Sequence, residues 1–252
     1  MKKISIFIIV LIFLSSSLSH SQIHTSNIPV RNSANAKISF KPFVIPAIFI
    51  SYGIATRITK PLRGWDNNVA KNVIKRYKHF THADDYIQYT SYAAVYGLGL
   101  SGIKAKHNFV DRTFIVATSS IITGIIVQTM KRTTLIKRPD GHNFNSFPSG
   151  HTATAFVGAH ILYKEYKDVS TWIGFAGYGA ALTTGSMRIL NNRHWFSDVI
   201  TGAGIGILSV ELSYLLLPAW HKLSGKEKGN SDFAIVPIIS NKQIMFGLTY
   251  RF

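Results

Sequence analysis

Apolar residues gather in runs at about 43–56, 86–103, 114–130, 153–163, 171–185 and 199–217, with polar stretches between them. Runs of that length suit helices, so the pattern predicts a mainly α fold, a bundle of about six core helices. Gly, Ala, Ser and Thr are common within the runs, and such small residues let helices approach closely in a bilayer. The runs 114–130 and 199–217 are the best candidates to span one. Several others fall short of the roughly 20 residues a span needs. The run 199–217 carries Glu211, which has to face the bundle interior or be neutralised. Tyr86, Tyr89, Tyr92, Trp172, Trp195 and Trp220 sit near run ends, as in an interfacial belt. These features predict a membrane-embedded bundle. The mean hydropathy of only +0.15 keeps a soluble bundle with buried helices as the alternative.

The two ends of the chain depart from this pattern. Lys2-Lys3 precedes an apolar run from Ile4 to Leu14, and Ser19 and Ser21 lie just before a plausible cut ahead of Gln22. That layout predicts a signal peptide over 1–21, with an uncleaved anchor as the other reading. Past Ser224, Gly225-Lys226-Glu227-Lys228-Gly229-Asn230 reads as an exposed linker. Phe233 to Ile239 and Ile244 to Phe252 are β-prone runs around Ser240-Asn241-Lys242-Gln243, which predicts a short C-terminal β-hairpin. Pro237 confines the first of these strands to a sheet edge. The expected division is 1–21, a helical domain 22–224, and a linker with hairpin 225–252. The aromatic end Leu248–Phe252 looks like the last strand of an outer-membrane barrel. Two strands cannot close a barrel, so outer-membrane association stands only as an alternative localisation.

Charge and cysteine narrow the classes. The 252 residues can bury one main domain, and they carry 28 Lys and Arg against 11 Asp and Glu, a net charge of +17. No nucleic-acid module is recognisable and the chain is addressed for export, so the charge points away from nucleic acid. A basic surface suits anionic headgroups and phosphorylated substrates. With no Cys, stability rests on packing without disulfides.

Three stretches carry the chemistry: Lys131-x6-Arg138-Pro139, Pro148-Ser149-Gly150-His151, and Arg188-x5-His194-x3-Asp198. His194 and Asp198 are four apart, one helical turn, which puts both on one helix face. The carboxylate can then fix the imidazole tautomer and leave the other nitrogen free to attack. For this pair alone, a helix-surface His–Asp contact is the plain alternative. Pro148-Ser149-Gly150-His151 precedes a run from Thr152 that can start a helix. Pro148 and Ser149 suit its start, Gly150 lets backbone approach a ligand closely, and the unpaired amides at that end form an anion site. His151 would sit beside the bound anion as a proton donor; for the tetrapeptide alone, a turn with a capping Ser is the rival. Lys131 and Arg138 are seven apart and predicted on one side of a helix that ends before Pro139. Arg188 supplies a third cation. Arg132, Lys137 and Arg193 read as surface charges.

The three stretches resemble the signature of the type 2 phosphatidic acid phosphatase and vanadium haloperoxidase superfamily, K-x6-RP, PSGH and SR-x5-H-x3-D. The likeness spans about a quarter of the chain. One position departs: the third motif's Ser is Met187 here, with Ser186 one residue earlier. The resemblance implies metal-independent hydrolysis of a phosphomonoester or diphosphate, with a lipid phosphate as substrate. By that likeness His194 is the nucleophile that forms a phosphohistidine, Asp198 its orienting group and His151 the acid. Lys131, Arg138, Arg188 and the amides around Ser149 and Gly150 would bind phosphate, and no cofactor is implied.

The expected partners are a phosphorylated lipid and a membrane, with the site facing the periplasm or exterior, or in a soluble periplasmic protein. The alternatives are a vanadate-dependent haloperoxidase using the same residues, and a non-catalytic phospholipid-binding membrane protein. Thr81-His82-Ala83-Asp84-Asp85 reads as a helix start whose acids favour the dipole, with a metal cluster as its rival. His107, His160 and His221 receive no role, and His142 falls in the loop between the first two motifs.

Overall fold

The computed structural model of the protein describes residues 39–76, 81–224, 233–240 and 243–250. The predicted signal peptide and the predicted linker lie outside the described residues. Eight helices occur among those described: α1 (Lys41–Ile58), α2 (Lys60–Arg76), α3 (Asp84–Ile87), α4 (Thr90–Leu100), α5 (Phe109–Thr134), α6 (Gly150–Tyr166), α7 (Thr171–Leu190) and α8 (Phe196–Leu223). Six apolar runs thus become helices, with the run 86–103 broken into α3 and α4. Helix α2 was not among the expected elements. It is mostly polar, with Leu62, Trp65, Val69 and Val73 at the spacing of one helical face and Ala70 and Ile74 beside the last two. Trp65 uses that face, meeting the ring of Phe196 edge-on with centroids 4.7 Å apart.

Helix ends follow local chemistry. Asn108 caps α5 by accepting from the Asp111 amide at 2.9 Å. The same helix stops at Leu135, whose φ of 48° is left-handed and ends the helical ladder. Arg138 therefore lies in a loop, and the expectation that Lys131 and Arg138 share one helix is corrected. In β1 (Phe233–Ser240) and β2 (Gln243–Tyr250) the predicted hairpin is present, with Phe233 opposite Tyr250 and Ser240 opposite Gln243. Both strands are edges of a two-stranded sheet, which accommodates Pro237.

Helix α8 runs through the middle of the bundle, packed by α1, α5 and α6, while α6 also packs on α7 and α4. Small residues make this possible. A Cβ on Gly202 would lie 2.5 Å from the Ser149 carbonyl oxygen, and one on Gly206 would lie 2.5 Å from that of Ala153. These two glycines are one turn apart on the face toward α6, where backbone meets backbone. On another face, a Cβ on Gly204 would lie 2.8 Å from Phe49 of α1.

Helices α5 and α8 are long and apolar enough to cross a membrane, and α1 with α2 form a third candidate bent by 96°. The outer surface fits that setting. Ile121, Ile125, Phe175 and Leu182 are exposed, as are Tyr86, Tyr89 and Trp172 near helix ends. Glu211 faces inward as its position in an apolar run requires, held by Lys164 at 2.6 Å and His160 at 2.7 Å.

The glycine crossing generates a test. Gly206→Ala should destabilise the protein by about 1–3 kcal/mol through overpacking against backbone, read as a lower thermal midpoint in detergent. Gly124→Ala, on an exposed face of α5 with nothing within 4 Å of its added methyl, should be neutral or gain up to about 1 kcal/mol.

Candidate active site

Four helix ends meet at one end of the bundle. The Ser149 amide, at the start of α6, donates to the Asp198 carbonyl in the first turn of α8 at 3.0 Å. The Arg188 carbonyl, in the last turn of α7, accepts from the amides of Arg193 at 3.0 Å and His194 at 3.2 Å. From the last turn of α5, Lys131 donates Nζ to the Asn145 carbonyl at 2.5 Å. All three sequence stretches are thereby brought together.

Asp198 is fully buried at the third position of α8, where its Oδ2 accepts from the Trp195 amide at 3.0 Å. A carboxylate there is favoured by the helix dipole. The same oxygen accepts from Ser146 Oγ at 2.5 Å, and Oδ1 accepts from Arg57 Nη2 at 2.6 Å. Arg57 reaches in from the end of α1 and also donates to Ser197 Oγ, which in turn donates to Asp66 Oδ2 of α2, each at 2.5 Å. The bend between α1 and α2 thus delivers an arginine and an acid to the back of Asp198.

His194 lies in the turn ahead of α8, not within the helix, so the one-turn spacing on a helix face is corrected to a loop residue beside a helix start. Its Nδ1 stands 3.5 Å from Asp198 Oδ2, beyond hydrogen-bonding length, and has no hydrogen-bond partner among the described residues. Burial pulls its pKa down to about 4; Asp198 pulls the other way, and the charges of Lys131 and Arg188 add to the lowering. At neutral pH the ring is therefore a free base. The lowered pKa of Arg138 reflects burial first and then the charge of Arg188. The Nε atoms of Arg138 and Arg188 are buried without hydrogen-bond partners among the described residues, an arrangement that an oxyanion would relieve.

Ser149 caps α6 as expected, its hydroxyl accepting from the Thr152 amide at 3.4 Å. With its own amide given to Asp198, Ser149 serves the site through the helix start it caps, and the free first-turn amides begin at Gly150. His151 follows, half-buried, with Nε2 2.7 Å from Asp85 Oδ1. Burial and Arg188 lower its pKa, against the opposing pull of Asp85 and Asp84. Arg188 Nη1 is 2.5 Å from Asp84 Oδ2. Helix α3 does begin at this Asp-Asp pair, yet both acids also enter the site, which the sequence did not suggest. Donor atoms of Asp84, Asp85 and His151 lie within 4.8 Å of one another, and Arg188 already supplies the positive charge among them.

Arg132 and Lys137 are exposed and Arg193 pairs with Asp140 at 3.3 Å, in keeping with their reading as surface charges. Ser186 is exposed while Met187 is half-buried, so the departure in the third motif is not made good by its neighbour. A cavity of about 280 Å³ opens beside Trp195, bordered by Arg57, Arg63 and Ile136 on the Asp198 side of the site.

The model of the PAP2 superfamily matches residues 47–222. Over 109 residues the chain is 44% identical to the lipid A 1-phosphatase of Porphyromonas gingivalis, covering 40% of this chain and 24% of that protein. Over 112 residues it is 33% identical to the lipid A 1-phosphatase of Helicobacter pylori, covering 39% of this chain and 55% of that protein. The matched stretch therefore spans about a quarter of one relative and just over half of the other. The fold is that of the transmembrane PAP2 type phosphatidylglycerolphosphate phosphatase from Bacillus subtilis, with a TM-score of 0.51 at 17% identity over 76% of this chain and 99% of that one.

The charge state of His194 predicts a pH effect on stability. Its folded pKa of about 4 lies below the ordinary 6.5, so between those values the unfolded chain binds the extra proton. The contribution is fully present above about pH 6.5 and is lost as pH falls through about 4, on the order of 3 kcal/mol in all. The thermal midpoint of His194→Gln should therefore fall less between pH 7 and pH 4 than that of the natural protein. Parallel curves would contradict it.

Proposed function

The chain belongs to the PAP2 superfamily, and on that footing we propose that it is a membrane phosphatase acting on a lipid phosphomonoester or diphosphate through a phosphohistidine on His194, with no metal. The observation that carries the reading is a buried, neutral imidazole set beside two guanidinium groups with unsatisfied buried N–H donors. One is a nucleophile; the others are a place for phosphoryl oxygens.

In this reading Lys131, Arg138, Arg188 and the amides from Gly150 onward hold the phosphoryl group as its charge redistributes. With Nδ1 facing Asp198, Nε2 of His194 attacks phosphorus. The Nδ1 proton then closes on Asp198, which stabilises the ring as it becomes positive. The bond from phosphorus to the leaving oxygen breaks, its electron pair stays on that oxygen, and His151 supplies the proton. The neutral His151 then takes a proton from water as water attacks the phosphohistidine, releasing inorganic phosphate and restoring both rings.

The relatives named as lipid A 1-phosphatases support placing the 1-phosphate of lipid A first among substrates, ahead of phosphatidate, phosphatidylglycerol phosphate and polyprenyl diphosphates. The predicted signal peptide supports residues 22–224 as the exported catalytic unit, with its site-bearing end facing the periplasm or exterior.

Phosphate release by purified protein over that panel, with a soluble ester beside it, tests the reading. His194→Ala should abolish turnover and the acid-labile phosphoenzyme while the protein stays folded. Asp198→Asn should lose less, and chelators should leave the rate unchanged. Bromide oxidation that depends on added vanadate, or full biological activity in His194→Ala, would overturn the assignment.

A further inference from the structure

The two acids that open α3 have no part in the chemistry above, yet each holds a group that does. Asp84 accepts from Arg188 at 2.5 Å and from Asn191 Nδ2 at 3.2 Å. Asp85 Oδ1 stands 2.7 Å from His151 Nε2. Asn191 also fastens the entry to this segment, donating to the Thr81 carbonyl at 2.8 Å and accepting from its amide at 3.3 Å. The short helix is pinned to the end of α7, and its adjacent carboxylates divide between a phosphate-binding cation and the imidazole of the acid.

We propose that Asp85 is the positioning residue of the general acid, fixing the ring of His151 and keeping its proton available for the leaving oxygen. The inference rests on the phosphatase reading. With Nε2 engaged by Asp85, Nδ1 is the nitrogen left to meet the substrate. His151 enters the first step as an imidazolium paired with Asp85. When the bond from phosphorus to the leaving oxygen breaks, the Nδ1 proton passes to that oxygen and the ring is left neutral, its Nε2 proton still on Asp85. In the second step Nδ1 recovers a proton from the attacking water.

The surroundings explain why such a partner is needed. The charged groups around His151 are Asp85 and Asp84 from α3 and Arg188 from α7, with His82 3.5 Å from the second oxygen of Asp85. Burial and Arg188 both disfavour an imidazolium here. Asp84 is committed to Arg188, so the carboxylate in contact with the ring is that of Asp85. The two acids therefore have separable tasks: Asp84 acts through Arg188 on the phosphoryl group, and Asp85 acts through His151 on the leaving group.

That separation can be read from leaving-group dependence. An aryl ester such as 4-nitrophenyl phosphate departs without a proton, whereas the alcohol of phosphatidate needs one. Values of kcat/KM for both esters, in detergent micelles, report the bond-breaking step. Asp85→Asn should widen the aryl-to-lipid ratio roughly tenfold to a hundredfold, within the 10²–10⁴ that general acids contribute. The alkaline limb of the lipid reaction should move to lower pH, and Asp85→Glu should restore part of both effects. Asp84→Asn should lower the two esters alike. A ratio unchanged in Asp85→Asn, or a uniform loss in both Asp85 variants, overturns the inference while leaving the phosphatase reading intact. A natural protein that releases phosphate from neither ester overturns both.

Discussion

A carboxylate with no exposure to water has to be compensated where it stands, and Asp198 is the point around which the rest of this molecule is arranged. Two of its three donors come from far apart in the chain. Arg57 arrives from the end of α1, Ser146 from the loop ahead of α6, and the Trp195 amide from the start of α8. Meeting that one charge requires α1 to stop and turn at residue 58, so that Arg57 reaches inward and α2 can present Asp66 behind it. The same demand places the loop from 135 to 149 across the end of α8. Satisfying the buried acid and assembling the site are one structural event.

The close passage of α6 over α8 makes this affordable in space. Gly202 and Gly206 bring the backbones together, and directly above them the Ser149 amide meets the Asp198 carbonyl. The start of α6 and the start of α8 with its buried Asp198 are therefore set by packing further down the same crossing. Deeper in the bundle, Glu211 with Lys164 and His160 follows the same logic, a charge in an apolar helix closed off by partners on a neighbour.

The parts of this arrangement that were legible in the sequence are those coded by adjacent residues. Apolar runs marked every described helix but α2, and Pro148-Ser149 marked a helix start. The three stretches marked the groups that meet at the site. What was hidden depends on partners distant in sequence or on weak local signals. Helix α2 escaped because apolar residues that come singly or in pairs between polar ones do not form a run. The helix after Lys131 ends four residues earlier than Pro139 requires, because Leu135 adopts a left-handed backbone that its side chain does not advertise. Arg57 closed an apolar run as any surface arginine would, and only its 2.6 Å approach to Asp198 across 141 residues distinguishes it. Asp84 and Asp85 were legible as a helix start and illegible as site residues for the same reason.

In the proposed reading, the two imidazoles show how one site can keep an acid and a base apart. His194 is buried and His151 half-buried, and burial together with the charge of Arg188 disfavours a proton on either ring. His194 has its carboxylate at 3.5 Å with the charge of that carboxylate already shared among an arginine, a hydroxyl and an amide. Little of it is left to stabilise a proton before reaction, which suits the role proposed for His194, attack as a free base. His151 has a carboxylate at 2.7 Å that is partly open to water, whose other basic neighbours, His82 at 3.5 Å and Arg188 at 3.9 Å, stand beyond hydrogen-bonding length. The 2.7 Å contact opposes burial, which still outweighs it, where the proposed chemistry needs a proton held ready. In the proposed reading, the two settings thus fit identical side chains for different tasks. The difference lies in how heavily each neighbouring carboxylate is already committed, more than in distance from the cations.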